Sequence, residues 1–143
     1  MSNRAASIAA CCVLVLGLLA GCASPGPRER DAAALARYTA HAGEPVDSFH
    51  LRLMRDWVSL GERHLAVYTS VNEAWLIEVQ SPCTGLDFAQ AIQLTSTGAR
   101  VYARFDTLRF DHQICRIKEI RPVDVRAMKA ARRAESASGE DAG

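Results

Sequence analysis

The sequence predicts a mainly β fold: a small antiparallel meander closing into a barrel or sandwich, with short flanking helices. Three observations predict it. Apolar residues take a period of two from Val46 onward, turn-forming residues recur about every 8–12 positions, and no long helical pattern intervenes before Pro122.

The elements follow in order. Residues 22–27 read as a tether, because the prolines and glycine of Ala23-Ser24-Pro25-Gly26-Pro27 deny it regular structure. Residues 28–43 are alanine-rich with Leu35 and Tyr38 at helical spacing, which predicts a short, weakly amphipathic helix stopped by Gly43 and Pro45. The β domain then occupies 45–123. Phe49, Leu51 and Leu53 alternate with His50 and Arg52, as in a strand buried on one face. Trp57-Val58-Ser59-Leu60 and Leu65-Ala66-Val67-Tyr68-Thr69 flank Gly61 and read as a hairpin. Ala74 to Val79 form the next strand, with Trp75, Ile77 and Val79 on one side. Ser81-Pro82-Cys83-Thr84-Gly85 breaks the sheet, and Leu86 to Ala91 offer one helical turn.

Ile92 and Leu94 begin a further strand. Val101, Ala103 and Phe105 mark the next, Leu108 and Phe110 a short one, and Ile114 to Ile120 the last, ended by Pro122. Asp124 is placed to cap a helix over 124–135, basic at Lys129, Arg132 and Arg133 where the helix dipole favours cations. Residues 136–143 are polar and are expected to be a disordered tail.

The first 21 residues read differently. Arg4 precedes an apolar stretch from Ile8 to Ala20, and no acidic residue occurs before Glu29. A stretch of about thirteen residues is too short for a bilayer core of ~30 Å, so a cleaved signal segment over 1–21 is expected. It closes on Leu19-Ala20-Gly21-Cys22, which resembles the lipobox of bacterial lipoproteins. That resemblance implies a diacylglyceryl thioether on Cys22, cleavage between Gly21 and Cys22, and acylation of the new amino group. Several acyl chains at ~0.8 kcal/mol per buried methylene hold a protein on a membrane, where one is marginal. Ala23 in place of the family's Asp retention signal favours the periplasmic face of the outer membrane over the inner membrane or the cell surface.

Removing residues 1–21 leaves 122 of the 143 residues, with 16 basic side chains against 16 acidic ones. Such a neutral domain has no electrostatic drive toward nucleic acid, which is excluded as a partner. The mature chain keeps Cys83 and Cys115 beside Cys22. In an oxidising compartment the pair is expected to form a disulfide, and closing a loop of about 33 residues is worth roughly 3–4 kcal/mol. A redox pair needs closer spacing, and a metal site from His112, Cys115 and Cys83 lacks a fourth ligand and competes with the bridge.

No constellation identifies a reaction. His41, His50, His64 and His112 are scattered and read as solvated surface groups. Arg104, Asp106 and Asp111 fit a salt-bridged outer sheet face better than an acid–base set. Trp57 and Trp75 are expected in the core. Tyr68 and Tyr102 take the opposite alternation from their apolar neighbours and are expected on the outer face, as a patch able to stack on glycans. With the loops around Asn72-Glu73 and Cys83 they form the candidate contact surface. Arg126, Lys129, Arg132 and Arg133 read as a solvated helix face, with nearby acids cancelling their charge.

Asn72-Glu73-Ala74-Trp75-Leu76, Leu94-Thr95-Ser96, Ala103-Arg104-Phe105-Asp106 and Cys115-Arg116-Ile117-Lys118-Glu119-Ile120-Arg121-Pro122 resemble a family of short proteobacterial lipoproteins classed as a domain of unknown function. The similarity runs from about Pro45 to Asp124. It implies an envelope location and paired cysteines, and it supplies no catalytic residue. The expected protein is thus a non-enzymatic accessory or binding lipoprotein, bound to the membrane by lipid and meeting an envelope protein or glycan, with no cofactor and no metal. The alternatives are a small envelope hydrolase or metal-dependent enzyme using Glu73, Asp106 and His112, and a structural spacer.

Overall fold

The computed structural model describes residues 24–140 except Pro82. The expected signal segment and Cys22 lie outside the described residues, as do the last three residues of the tail. The described elements are α1 (Pro27–Ala40), β1 (Ser48–His50), β2 (Asp56–Ser59), β3 (His64–Ser70), β4 (Glu73–Val79), a 3₁₀ turn (Leu86–Phe88), β5 (Gln93–Leu94), β6 (Arg100–Tyr102), β7 (Thr107–Phe110), β8 (Gln113–Val123) and α2 (Val125–Glu140). Every strand pairing is antiparallel. Six strands form one sheet in the order β2-β3-β4-β8-β7-β5, and β1 pairs with β6 in a second. The mainly β architecture with flanking helices is the one the alternation predicts.

β8 is the spine. Its first half pairs with β7 and its second half with β4, and the register shifts at Glu78/Val79, leaving Lys118 unmatched. Such a bulge bends a strand and raises its twist, which curls the large sheet into a half-barrel. The opposite edge of the second half is also covered. The Ile117, Ile120 and Pro122 carbonyls accept from the N–H groups of Arg104, Val46 and Gly43. Pro122 therefore sits inside β8 and does not end the sheet. Its carbonyl faces Gly43, so its missing N–H faces that irregular segment and costs the β4 ladder nothing.

Alternation sorts the apolar residues into two cores. Leu65, Val67, Ile77, Val79, Ile117 and Ile120 point into the half-barrel, where Phe49 and Val101 of the small sheet close over them. Trp57 and Trp75 pack against this inner core, and Trp75 stacks on Phe49 with ring centroids 4.9 Å apart. The other faces of β3 and β4 carry Ala66, Ala74 and Leu76 beneath Leu35 and Tyr38 of α1 and Val125 and Met128 of α2. The thin stripe of α1 is sufficient because alanines on the sheet leave room for it. Asp124 caps α2 through its Oδ1, which accepts from the Ala127 N–H at 2.9 Å.

Four further local expectations are corrected. The strand from Val46 stops at His50 and Leu53 is exposed, because the partner strand turns at Gly98-Ala99 and offers nothing beyond Leu51. Val101 does not continue through Phe105 as a strand. Arg104 is left-handed at φ 69°, Phe105 is 82% exposed, and the chain turns so that Asp106 N–H returns to the Tyr102 carbonyl. α2 runs past Glu135 to Glu140 instead of giving way to coil at Ser136. Alanine favours that continuation, and the Ser136 and Ser138 hydroxyls donate to carbonyls one turn back. The fourth concerns Asp106 itself.

Candidate functional site

Asp106 is a buried acceptor, not part of a salt-bridged sheet face. Its Oδ1 accepts from Thr95 Oγ1 at 2.7 Å and its Oδ2 from the Tyr102 N–H at 2.8 Å. Thr95 Oγ1 in turn accepts from the Thr107 N–H at 2.8 Å. The carboxylate thus ties β6, β7 and the strand before them into one turn. No periodicity signals this role, since alternation with Phe105, read as an inward strand residue, places Asp106 on the outer face.

Cys83 and Cys115 are joined by a disulfide, with Cα atoms 5.7 Å apart and both residues buried. It staples the loop after β4 to β8. Neither sulfur remains as a thiolate for His112 or for redox exchange. Among the described residues no group of three His, Cys, Asp or Glu side chains is placed to hold a metal ion.

The candidate contact residues fall in separate places. Tyr68 lies under α1, its hydroxyl 2.6 Å from that of Tyr38. Burial, with the Tyr68 hydroxyl adding to it, pushes the Tyr38 phenol well above its ordinary range. Tyr102 is half-buried in the small sheet opposite Ser48, so the two tyrosines share no sheet. Asn72 and Glu73 are exposed at the β3–β4 turn, where Glu73 accepts from the Thr69 hydroxyl and Lys129 Nζ caps the Val71 carbonyl at 2.9 Å. Beside them lies a recess of about 330 Å³ lined by His50, Arg52, Leu53, Thr69 and Glu73. His112 lines a different cleft, with Arg109 and Ile114. Glu73, Asp106 and His112 thus occupy three environments.

Sequence reasoning missed a polar cluster on the convex face. His64 pairs across the strands with Glu78, which accepts from Arg63 at 2.6 Å and Lys118 at 2.9 Å. Thr39, Glu119 and Arg121 complete a pocket of about 270 Å³ around them. His64 is half-buried instead of solvated, and burial lowers its proton affinity below the ordinary 6.5 against the pull of Glu78. Desolvation alone would raise Glu78, yet the hydrogen bonds from Lys118 and Arg63 hold it below its usual range. Glu78 is paired with both Arg63 and Lys118, and Glu119 with Arg121.

A fourth concavity, about 820 Å³, lies where the chain enters α1. Ser24 and Glu29 face Glu62 of the β2–β3 turn and Asp87 and Phe88 of the 3₁₀ turn. These features define a small, disulfide-stapled half-barrel domain with clefts at the two ends of its sheet. A family model matches residues 5–139, and the chain belongs to that family, DUF6491, a family of unknown function. This agrees with the resemblance carried by Asn72–Leu76 and Cys115–Pro122 in so far as that resemblance is to a domain of unknown function. No curated protein and no solved structure matches the chain.

Proposed function

We propose that this protein is a lipid-anchored envelope lipoprotein, a non-enzymatic accessory or binding protein held at the periplasmic face of the outer membrane through Cys22. The observation that carries the reading is a buried Cys83–Cys115 disulfide in a chain whose apolar leader ends on Leu19-Ala20-Gly21-Cys22. A structural disulfide fits an oxidising compartment, and a lipobox cysteine fits attachment there. The geometry adds a division of labour. The β2–β3 and β3–β4 turns stand at opposite ends of β3, whose seven residues span about 23 Å.

The chain enters the domain beside the first turn, and the recess at Glu73, His50 and Arg52 lies by the second. An anchor at one end leaves the other facing the envelope space, where confinement to a surface raises effective concentration toward partners on it. The partner is an envelope protein or glycan met by the Asn72-Glu73 turn. Replacing Cys22 with serine tests the anchor: the variant is expected in the soluble fraction, folded and with no free thiol in the domain. Continued sedimentation with membranes after washing in high salt contradicts it.

A further inference from the structure

We infer that the end of the domain carrying Phe88 and the start of α1 lies flat against the bilayer, with the Phe88 ring seated among the phospholipid headgroups. This rests on the lipid anchor proposed above and adds to it a defined orientation and a second point of contact. The first argument is the length of the connection. A thioether-linked diacylglyceryl group puts Cys22 at the headgroup level, and Ser24 follows within two Cα steps, about 7 Å. A headgroup layer is itself about 5–8 Å deep. The second argument is stiffness. The Pro25 carbonyl accepts from Arg30 Nε at 3.1 Å, and the Gly26 N–H donates to Glu29 Oε2 at 3.0 Å. Residues 25 and 26 are thereby fastened to α1.

Phe88 supplies the contact. It shares the cleft wall with Ser24 and is 76% exposed. The exposure does not come from a loose loop. Leu86, two residues earlier, is fully buried in the inner core, and Phe88 N–H donates to the Gly85 carbonyl at 3.1 Å. The Cys83–Cys115 disulfide holds the same loop from its start. A large apolar ring held rigidly in water, within reach of a membrane anchor, gains by leaving the water for the interface. Glu29, Asp31, Glu62 and Asp87 outnumber Arg28 and Arg63 around the two adjoining clefts. The fitting surface is therefore a zwitterionic one, engaged by tether and ring and not by attraction to anionic lipid.

Site-directed spin labelling of the full lipidated protein tests this. With Cys22 acylated and Cys83–Cys115 bridged, an introduced cysteine is the one reactive thiol. Nitroxides are placed by Phe88→Cys, Leu53→Cys and Val71→Cys, all at exposed positions, the last two toward the β3–β4 end, and the protein is reconstituted in phosphatidylethanolamine–phosphatidylcholine vesicles. The ratio of relaxation by oxygen to relaxation by aqueous nickel chelate is expected to be severalfold higher for the label at 88 than for labels at 53 and 71. A ratio at 88 on vesicle-bound protein no higher than at 53 and 71 overturns the orientation, as does a higher ratio at 53 or 71. Protein that fails to stay on the vesicles, with no acyl mass on its N-terminal peptide, overturns the anchor instead.

Discussion

Asp106 shows how much one side chain can decide. Its carboxylate satisfies a backbone N–H and a hydroxyl in a place that is 7% exposed. Asp106→Ala leaves both donors without a partner, at ~1–3 kcal/mol each, so the domain is expected to lose about 2–6 kcal/mol. Urea unfolding with an unchanged slope and a lower midpoint checks it, and Asp106→Asn, which keeps one acceptor oxygen, is expected to lose less. His64 gives a second prediction at this scale. Its folded proton affinity lies below 6.5, so the unfolded chain takes up the proton first. Its contribution is complete above about pH 6.5 and is lost as the pH falls below that value. Glu78, also lowered, adds a further loss below its ordinary 4.5. Thermal unfolding between pH 7.5 and 5 is expected to show the decline, and His64→Gln is expected to flatten it. Residue-scale facts of this kind were the least legible in the chain. The inward Trp75, Ile77 and Val79 follow from a period of two, whereas Asp106 owes its place to a turn closing on Tyr102 and Thr95, and His64 to its pairing with β4.

The elements were legible wherever a strand had a partner along its whole length. The β2–β3 hairpin, β4, β7 and the capped start of α2 stand where alternation and the turn residues place them. The errors lie where tertiary pairing overrides the pattern. Leu51 and Leu53 alternate correctly yet outrun β6, and Phe105 alternates yet sits in a turn set by Asp106. Pro122 read as a terminator because the segment shielding its missing donor, Ala42 to Val46, has no strand signal of its own. The disulfide joins elements 32 residues apart, and loop-closure entropy makes it worth ~3–4 kcal/mol. A Cys83→Ala/Cys115→Ala double variant is expected to unfold at correspondingly lower denaturant. Wild-type protein unfolded under reducing conditions is expected to match it. An unchanged midpoint in both contradicts the stapling role.

At the scale of the molecule, the half-barrel has two distinct ends separated by the length of β3. One gathers the chain's approach to α1, the β2–β3 turn and Phe88; the other gathers the β3–β4 turn, His50 and Arg52. The match to DUF6491 runs from residue 5 to 139, across the N-terminal apolar stretch as well as the helices and the sheet. The lipid anchor proposed for Cys22 is what would give the two ends their meaning. The most direct measurement is the mass of the N-terminal peptide of protein purified from its native membranes. The account predicts a peptide beginning at Cys22 and carrying a diacylglyceryl thioether and an amide-linked acyl chain. A peptide that retains residues before Cys22, or a bare Cys22, contradicts it.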